Sequence, residues 1–405
     1  MSRGHPAAIA ILFLAILLPA CSSIPRDNFN SRQQAAARVP GIPNARFWAD
    51  GSDAELREFL KGSALSSAIG YTGSFDVLAI SGGAYDGAYG AGIINGWTAT
   101  GKRPKFAIVT GVSAGALIAP LAFLGPDYDA EIAEAFAGGV ADVLGDLGGI
   151  FALLGSSDGR RDSLVALVDR FVTPKLLAAI AAEHAHGRRL FIVTTNLDAQ
   201  RGVVWDMGAI AASRQPNARE LFRDVLVASA SIPGIFGPTY IEVEAGGQRF
   251  REMHVDGGAT TQVFVLPDSA LATGIGIAAP RGVPVHVYVI INNHLTPQFE
   301  VVESGILATA SRSFSTLIKS DSKQTLFVTA EYVGRERFHL TYIDSGFEKW
   351  LHANPGMKPG FNAPYMQMLY RYGYDEARSG NAWTNEVPLP DGATGMRLRD
   401  FARGR

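Results

Sequence analysis

The chain is predicted to be an α/β protein in three layers, a mostly parallel central sheet with helices on both faces. Three observations predict it. Short, continuously apolar runs rich in β-branched residues recur along the chain, as strands buried on both faces require. Segments with helical spacing separate them. No shift in composition marks a second domain, so one large unit accounts for the length.

In order, the expected strands are FDVLAI (75–80), FAIVT (106–110), RLFIVTT (189–195) and VHVYVII (285–291). Helical patterns occupy 115–124 and 162–171. Beyond about residue 300 the chain reads as a helix over 302–323, a strand FHLTYI at 338–343 and a polar end. AGGVADVLGDLGGIFALLG (137–155) is apolar and glycine-rich, which fits either a flap that meets lipid or a loosely packed core helix.

Composition narrows the function. The chain has 405 residues, 47% hydrophobic and 18% charged, which indicates a folded globular protein rather than a disordered one. A net charge of -2, with no basic stripe, argues against a nucleic-acid partner. No His-x-x-x-His, paired cysteines or calcium-loop spacing points to a metal.

The N-terminus has a layout of its own. Arg3, the apolar stretch Ala7 to Leu18 and the small residues after it form a secretory signal over 1–20. Leu18-Pro19-Ala20-Cys21 resembles the lipobox of bacterial lipoproteins, and Cys21 is the sole cysteine of the chain. Cys21 is then the expected lipidation site and first mature residue, 21–45 a lipidated N-terminus and polar linker, and 46–405 the domain. Ser22, where inner-membrane retention signals often carry Asp, favours an outer-membrane anchor facing the periplasm. The mature chain can form no internal disulfide. Nothing in the sequence sets an oligomeric state.

In an open parallel sheet, functional groups gather at the carboxyl ends of the strands. Three stretches fall there. SGGAYDGAYGAGII follows the first strand, and Gly82 and Gly83 permit close backbone approach ahead of a helix near 84–92 whose free N–H groups favour an anion. VTGVSAGAL places Ser113 on a strand-to-helix elbow, with Gly111 and Gly115 relieving crowding. MHVDGGATT places Asp256 before Gly257 and Gly258 on a tight turn. A serine nucleophile needs a base and oxyanion donors, and Asp256 and the glycine-loop amides meet those needs. A second Gly-x-Ser-x-Gly, GSSDG around Ser157, has only the charged flank DGRRD for company.

The order of a glycine-rich loop, Gly-x-Ser-x-Gly and Asp-Gly-Gly resembles the patatin-like phospholipases. ASASIPGIFGPTYI (228–241) and TTNLDAQRGVVW (194–205) resemble two further blocks of that family, and the resemblance spans about 74–292. It implies a patatin-like fold, lipid acyl-ester hydrolysis without a cofactor, Ser113 as nucleophile, Asp256 as base without histidine, and an oxyanion hole at Gly82, Gly83 and Ala84. In the frame GGAYDG, Ala84 stands where the family has a third glycine and Asp86 where it has Arg or Lys, so the cation that would favour an anionic substrate group is missing. Asp86 in the first turn of the following helix is expected to accept free N–H groups there.

Two other readings stand beside this one. A Ser-His-Asp hydrolase would draw its base from His286, His294, His339 or His352, none in a distinctive context. A membrane-anchored scaffold would keep the fold without catalysis. His254, two residues before Asp256, shares its face of an extended segment and is expected to be structural.

Overall fold

The structure, a computed structural model, describes residues 26–60, 73–141, 157–267, 282–299, 301–302 and 304–388. The signal segment, Cys21 and positions 142–155 of the apolar, glycine-rich stretch lie outside the described residues.

Helix α1 (Ser31–Ala36), strand β1 (Arg46–Trp48) and helix α2 (Asp53–Leu60) come first. Then follow β2 (Phe75–Ile80), α3 (Gly87–Ala99), β3 (Ile108–Val112), α4 (Ala114–Leu124), α5 (Asp129–Glu134), α6 (Ser157–Phe171) and α7 (Pro174–Ala185). Next are β4 (Arg189–Asn196), β5 (Arg201–Asp206), α8 (Met207–Ala212), α9 (Ala218–Ser229) and the hairpin β6 (Thr239–Ala245) with β7 (Gln248–Asp256). The chain closes with β8 (Val285–Ile291), α10 (Ile306–Val333), β9 (Phe338–Tyr342), α11 (Ser345–Ala353) and α12 (Ala363–Ser379).

These strands form one sheet in the order β1-β5-β4-β3-β2-β8-β9. The run β4-β3-β2-β8-β9 is parallel throughout, and β5, β1 and the β6-β7 hairpin add antiparallel pairs at one side. The expected mostly parallel sheet is therefore present. Alternation along each strand splits the core into two layers. Leu78, Ile80, Val109, Leu190 and Ile192 face the layer built by α3, α4, α7, α9 and α12. Val77, Ala79, Ile108, Val193, Val287 and Val289 face the layer that holds Leu326, Ala330 and Val333 of α10.

The ladder around β4 creates the site. Strand β3 pairs with β4 up to Val112↔Val193, and the next β4 residue, Thr194, pairs instead with Asp256 of β7. Ser113, which directly follows Val112, and Asp256 thus arrive at the same point along β4.

Three expectations need correction. The strand predicted at 106–110 runs over 108–112, because β2 pairs with it through Gly111. Residues 26–45, expected to be a polar linker, are docked on the β6-β7 hairpin. Arg26 forms a two-pronged pair with Asp198, Phe29 stacks on Phe250 at 4.4 Å, Arg38 bridges to Glu244, and Val39, Ile42 and Ala45 are buried. Polar composition concealed this because much of the attachment is made by hydrogen bonds. Finally, the C-terminal helix starts at Ile306 and continues to Val333, and the supposedly polar end contains α11 and α12. Helix α12 buries Tyr365, Met366, Leu369, Gly373 and Ala377 along one stripe. It lies backbone to backbone on α3, where a Cβ at Gly92 or Gly96 would overlap the carbonyl of Tyr370 or Tyr374.

Candidate active site

Ser113 stands between β3 and α4 with φ 53° and ψ -123°, outside the regions that L-residues favour. Such a conformation persists only where its surroundings enforce it. A Cβ at Gly115 would overlap the Ile80 carbonyl, and one at Gly111 would lie 2.5 Å from the Gly115 carbonyl, so the elbow closes only with glycine on either side. The Ser113 N–H donates to the Ser229 hydroxyl at 3.0 Å, and that hydroxyl donates to the Val193 carbonyl at 2.7 Å.

The Ser113 hydroxyl donates to Asp256 Oδ2 at 2.6 Å, with both residues buried. The other carboxylate oxygen accepts the Gly258 N–H at 2.7 Å, and the Asp256 N–H donates to the Ser231 carbonyl at 3.0 Å. Gly257 has no room for a Cβ against the Val193 carbonyl. Burial pushes the Asp256 carboxyl up to about 7, against the pull of the Ser113 hydroxyl and the Gly258 amide.

The glycine loop lies against this pair. A Cβ at Gly82 would be 3.0 Å from the Ser113 Cβ. Its N–H, expected among the oxyanion donors, is already given to the Gln262 carbonyl at 3.1 Å, so Gly82 is corrected to a packing role. Ala84 opens a short 3-10 turn (Ala84–Asp86) capped by Gly83, and among the described residues the N–H groups of Gly83 and Ala84 donate to no protein acceptor. Ala84 has φ 51°, the left-handed region. Asn292, at the end of β8, supports the turn from below: its amide donates to the Ser81 carbonyl at 2.8 Å and accepts the Gly90 N–H at 2.9 Å.

Asp86 departs from expectation. Its side chain caps no helical N–H; it accepts the Tyr365 hydroxyl of α12 at 2.7 Å. Burial raises this carboxyl to about 7, against the hydrogen bond from Tyr365.

The histidines lie elsewhere. His286 pairs with His339 at 3.2 Å, and His294 with Glu348 at 3.1 Å. His352 is exposed on the last turn of α11. His254 is fully buried, between Glu252 at 3.1 Å and the Thr194 hydroxyl at 2.9 Å, and burial lowers its pKa. Among the described residues no imidazole bonds Ser113. Ser157 opens α6. Among the described residues no group of three or more His, Cys, Asp or Glu could hold a metal ion, and no helix is long and apolar enough to cross a membrane.

An apolar cavity of about 30 Å³ lies against α4, with neither Ser113 nor Asp256 in its lining. Leu117, Leu121, Phe136, Val168, Leu176 and Leu226 line it, with other side chains of the same character. Sequence reasoning missed Ser229, Gln262, Asn292 and Tyr365. Only Ser229, inside the ASASIPG stretch, carried a signal by position.

A search of curated proteins returns no match. Among solved structures, VipD from Legionella pneumophila is similar at 11% identity and a TM-score of 0.37, covering 92% of this chain and 73% of that one. The family model described as patatin-like phospholipase matches residues 78–267, which contain Ser113, Asp256 and the glycine loop. Over those residues the chain is similar to the patatin-like phospholipases.

Proposed function

We propose that the protein is a serine lipid acyl hydrolase in which Ser113 attacks the ester carbonyl and Asp256 is its general base. The observation that carries this reading is the 2.6 Å hydrogen bond from the Ser113 hydroxyl to Asp256 on a strained elbow. As Ser113 Oγ bonds to the carbonyl carbon, its proton passes to Asp256 Oδ2. The developing oxyanion takes the free N–H groups of Gly83 and Ala84. Asp256 returns the proton to the departing alcohol, then accepts one from the water that attacks the acyl-enzyme and delivers it to Ser113 Oγ as the acid leaves. A carboxyl near neutrality is suited to both transfers.

The acyl chain is assigned to the apolar cavity along α4, which offers no partner to a charged group. Similarity to this family, a free pair of amides and an apolar cavity favour an enzyme over a scaffold. The contacts of His286 with His339 and of His294 with Glu348, away from Ser113, favour a dyad over a triad.

We also propose that the mature chain starts at a lipidated Cys21 on a bacterial membrane, facing the periplasm from the outer membrane. Several acyl chains on one cysteine would anchor it stably. Mass spectrometry of the mature N-terminus tests this, and an unmodified Cys21 or a later start overturns it.

The enzymatic reading is tested with a fluorogenic fatty-acyl ester. Wild type should turn it over, and Ser113→Ala and Asp256→Asn should each lose about 10³-fold or more, with little further loss on combining them. Full activity in Ser113→Ala would end the assignment.

A further inference from the structure

We infer that α12, which lies outside the family-matched residues, supplies a positioning residue to the site: Tyr365, whose hydroxyl holds Asp86 and through it the Gly83–Ala84 turn. The inference rests on the reading of Ser113 as nucleophile and of that turn as its oxyanion donor.

The turn is closed by the Asp86 N–H, which donates to the Gly83 carbonyl at 2.9 Å, but that bond leaves its placement against Ser113 to its neighbours. Ala84 adopts φ 51°, and a residue with a side chain stays in the left-handed region only when its neighbours over-determine it. From below, Gly83 packs so closely on Asn292 that a Cβ would overlap its carbonyl. From the other side the hold comes from α12. The Tyr365 hydroxyl reaches Asp86 at 2.7 Å, and Tyr85 meets the Tyr365 ring edge to face at 5.7 Å and Phe361 at 5.5 Å.

Asp86 has no competing occupation. It caps no N–H of α3, and among the described residues no Lys, Arg or His lies within salt-bridge range. A half-buried carboxylate with a single hydroxyl partner does little for stability by itself. Tyr365, in contrast, is firmly seated. It is 2% exposed, its N–H is capped by Asn362, and its helix rests on α3 through the backbone contacts at Gly92 and Gly96. A fixed hydroxyl therefore locates a loop carboxylate two residues from the amide that would meet the oxyanion. Donors of this kind lose effect when displaced by fractions of an ångström, and removing one costs about 10²- to 10³-fold in rate.

Tyr365→Phe deletes the hydroxyl and keeps the ring. Asp86→Ala deletes the acceptor, and Asp86→Asn is the conservative variant that retains one. Turnover of a fatty-acyl ester and hydrogen exchange of the peptide around residues 81–88 should be measured on the full chain. Tyr365→Phe and Asp86→Ala should each lower kcat about tenfold or more, with KM within about twofold. The double variant should be no worse than either. Both should speed exchange in that peptide and leave the Ser113 elbow unchanged, and Asp86→Asn should restore both readouts. Unchanged exchange, or faster exchange with unchanged kcat, overturns the inference. If wild type cleaves no acyl ester, the functional reading falls, and exchange alone decides whether Tyr365 holds the turn.

Discussion

The Ser229 hydroxyl links the Ser113 N–H to the Val193 carbonyl, accepting at 3.0 Å and donating at 2.7 Å. Two residues later the Ser231 carbonyl accepts the Asp256 N–H, so the end of α9 fixes both members of the pair. Ser229→Ala would leave a buried donor and a buried acceptor unpaired, at a cost of about 1–3 kcal/mol. Turnover should fall by about tenfold as the elbow relaxes, with little change in KM. Denaturant unfolding and steady-state kinetics on the variant check both effects. Wild-type kcat in Ser229→Ala would show that the elbow holds without it.

Activity and stability should respond to pH in opposite directions through Asp256. As a base it must be ionised, so kcat/KM should rise through about pH 7 and level off above. Burial raises its folded value above the ordinary 3.8, so between the two values the folded state binds the proton more tightly than the unfolded chain. The stability associated with this carboxyl is therefore greatest below about 4 and is lost as pH rises towards 7. Asp256→Asn, which cannot ionise, should gain in Tm relative to wild type more at pH 8 than at pH 5. Melting curves at the two values test the sign, and the reverse order would mean that the carboxylate is stabilised where it lies.

The central strands and the pair Ser113 and Asp256 were legible because their signals are local: apolar runs ending in small residues, and a reactive side chain flanked by glycines. Gly82 was misassigned because its N–H is claimed by Gln262, a backbone pairing that neither segment encodes alone. Tyr365 was invisible for the same reason at longer range, since it meets Asp86 across 279 positions. The burial stripe of α12 contains tyrosine and glycine as well as aliphatic residues, so the segment read as polar. Docking of 26–45 escaped notice because its ion pair, strand bridge and hydrogen bonds leave no apolar period.

A buried ion pair behind Asp256 should be sensitive to the loss of either partner. Arg46 Nη2 lies 2.9 Å from Glu252 Oε1, with side chains 7% and 0% exposed, and Gln34 and His254 also bond the carboxylate. Burial opposes ionisation of Glu252, but Arg46 and His254 hold its pKa at about 2. Arg46→Met would strand that charge, and loss of one partner of a buried pair typically costs about 3–5 kcal/mol. Glu252→Gln with Arg46→Met should recover part of it. Urea unfolding of the single and double variants is the measurement, and a single variant as stable as wild type would contradict the account.

The cavity along α4 predicts how turnover depends on chain length. Leu117 follows Ser113 by four residues, about 6 Å along the axis, so an acyl group directed from Ser113 along α4 would meet the cavity lining within a few methylenes. Each methylene moved from water into an apolar site contributes about 0.8 kcal/mol, or roughly fourfold in kcat/KM. Activity on a homologous ester series should climb by that factor and flatten once the cavity is full. Leu117→Trp places an indole in the cavity lining. It should abolish the climb and leave the shortest ester within about twofold of wild type, because uniform binding to the reacting group is untouched. An unchanged slope in Leu117→Trp would place the acyl chain elsewhere, and an equal loss on every ester would point to a disturbed elbow instead of a blocked cavity.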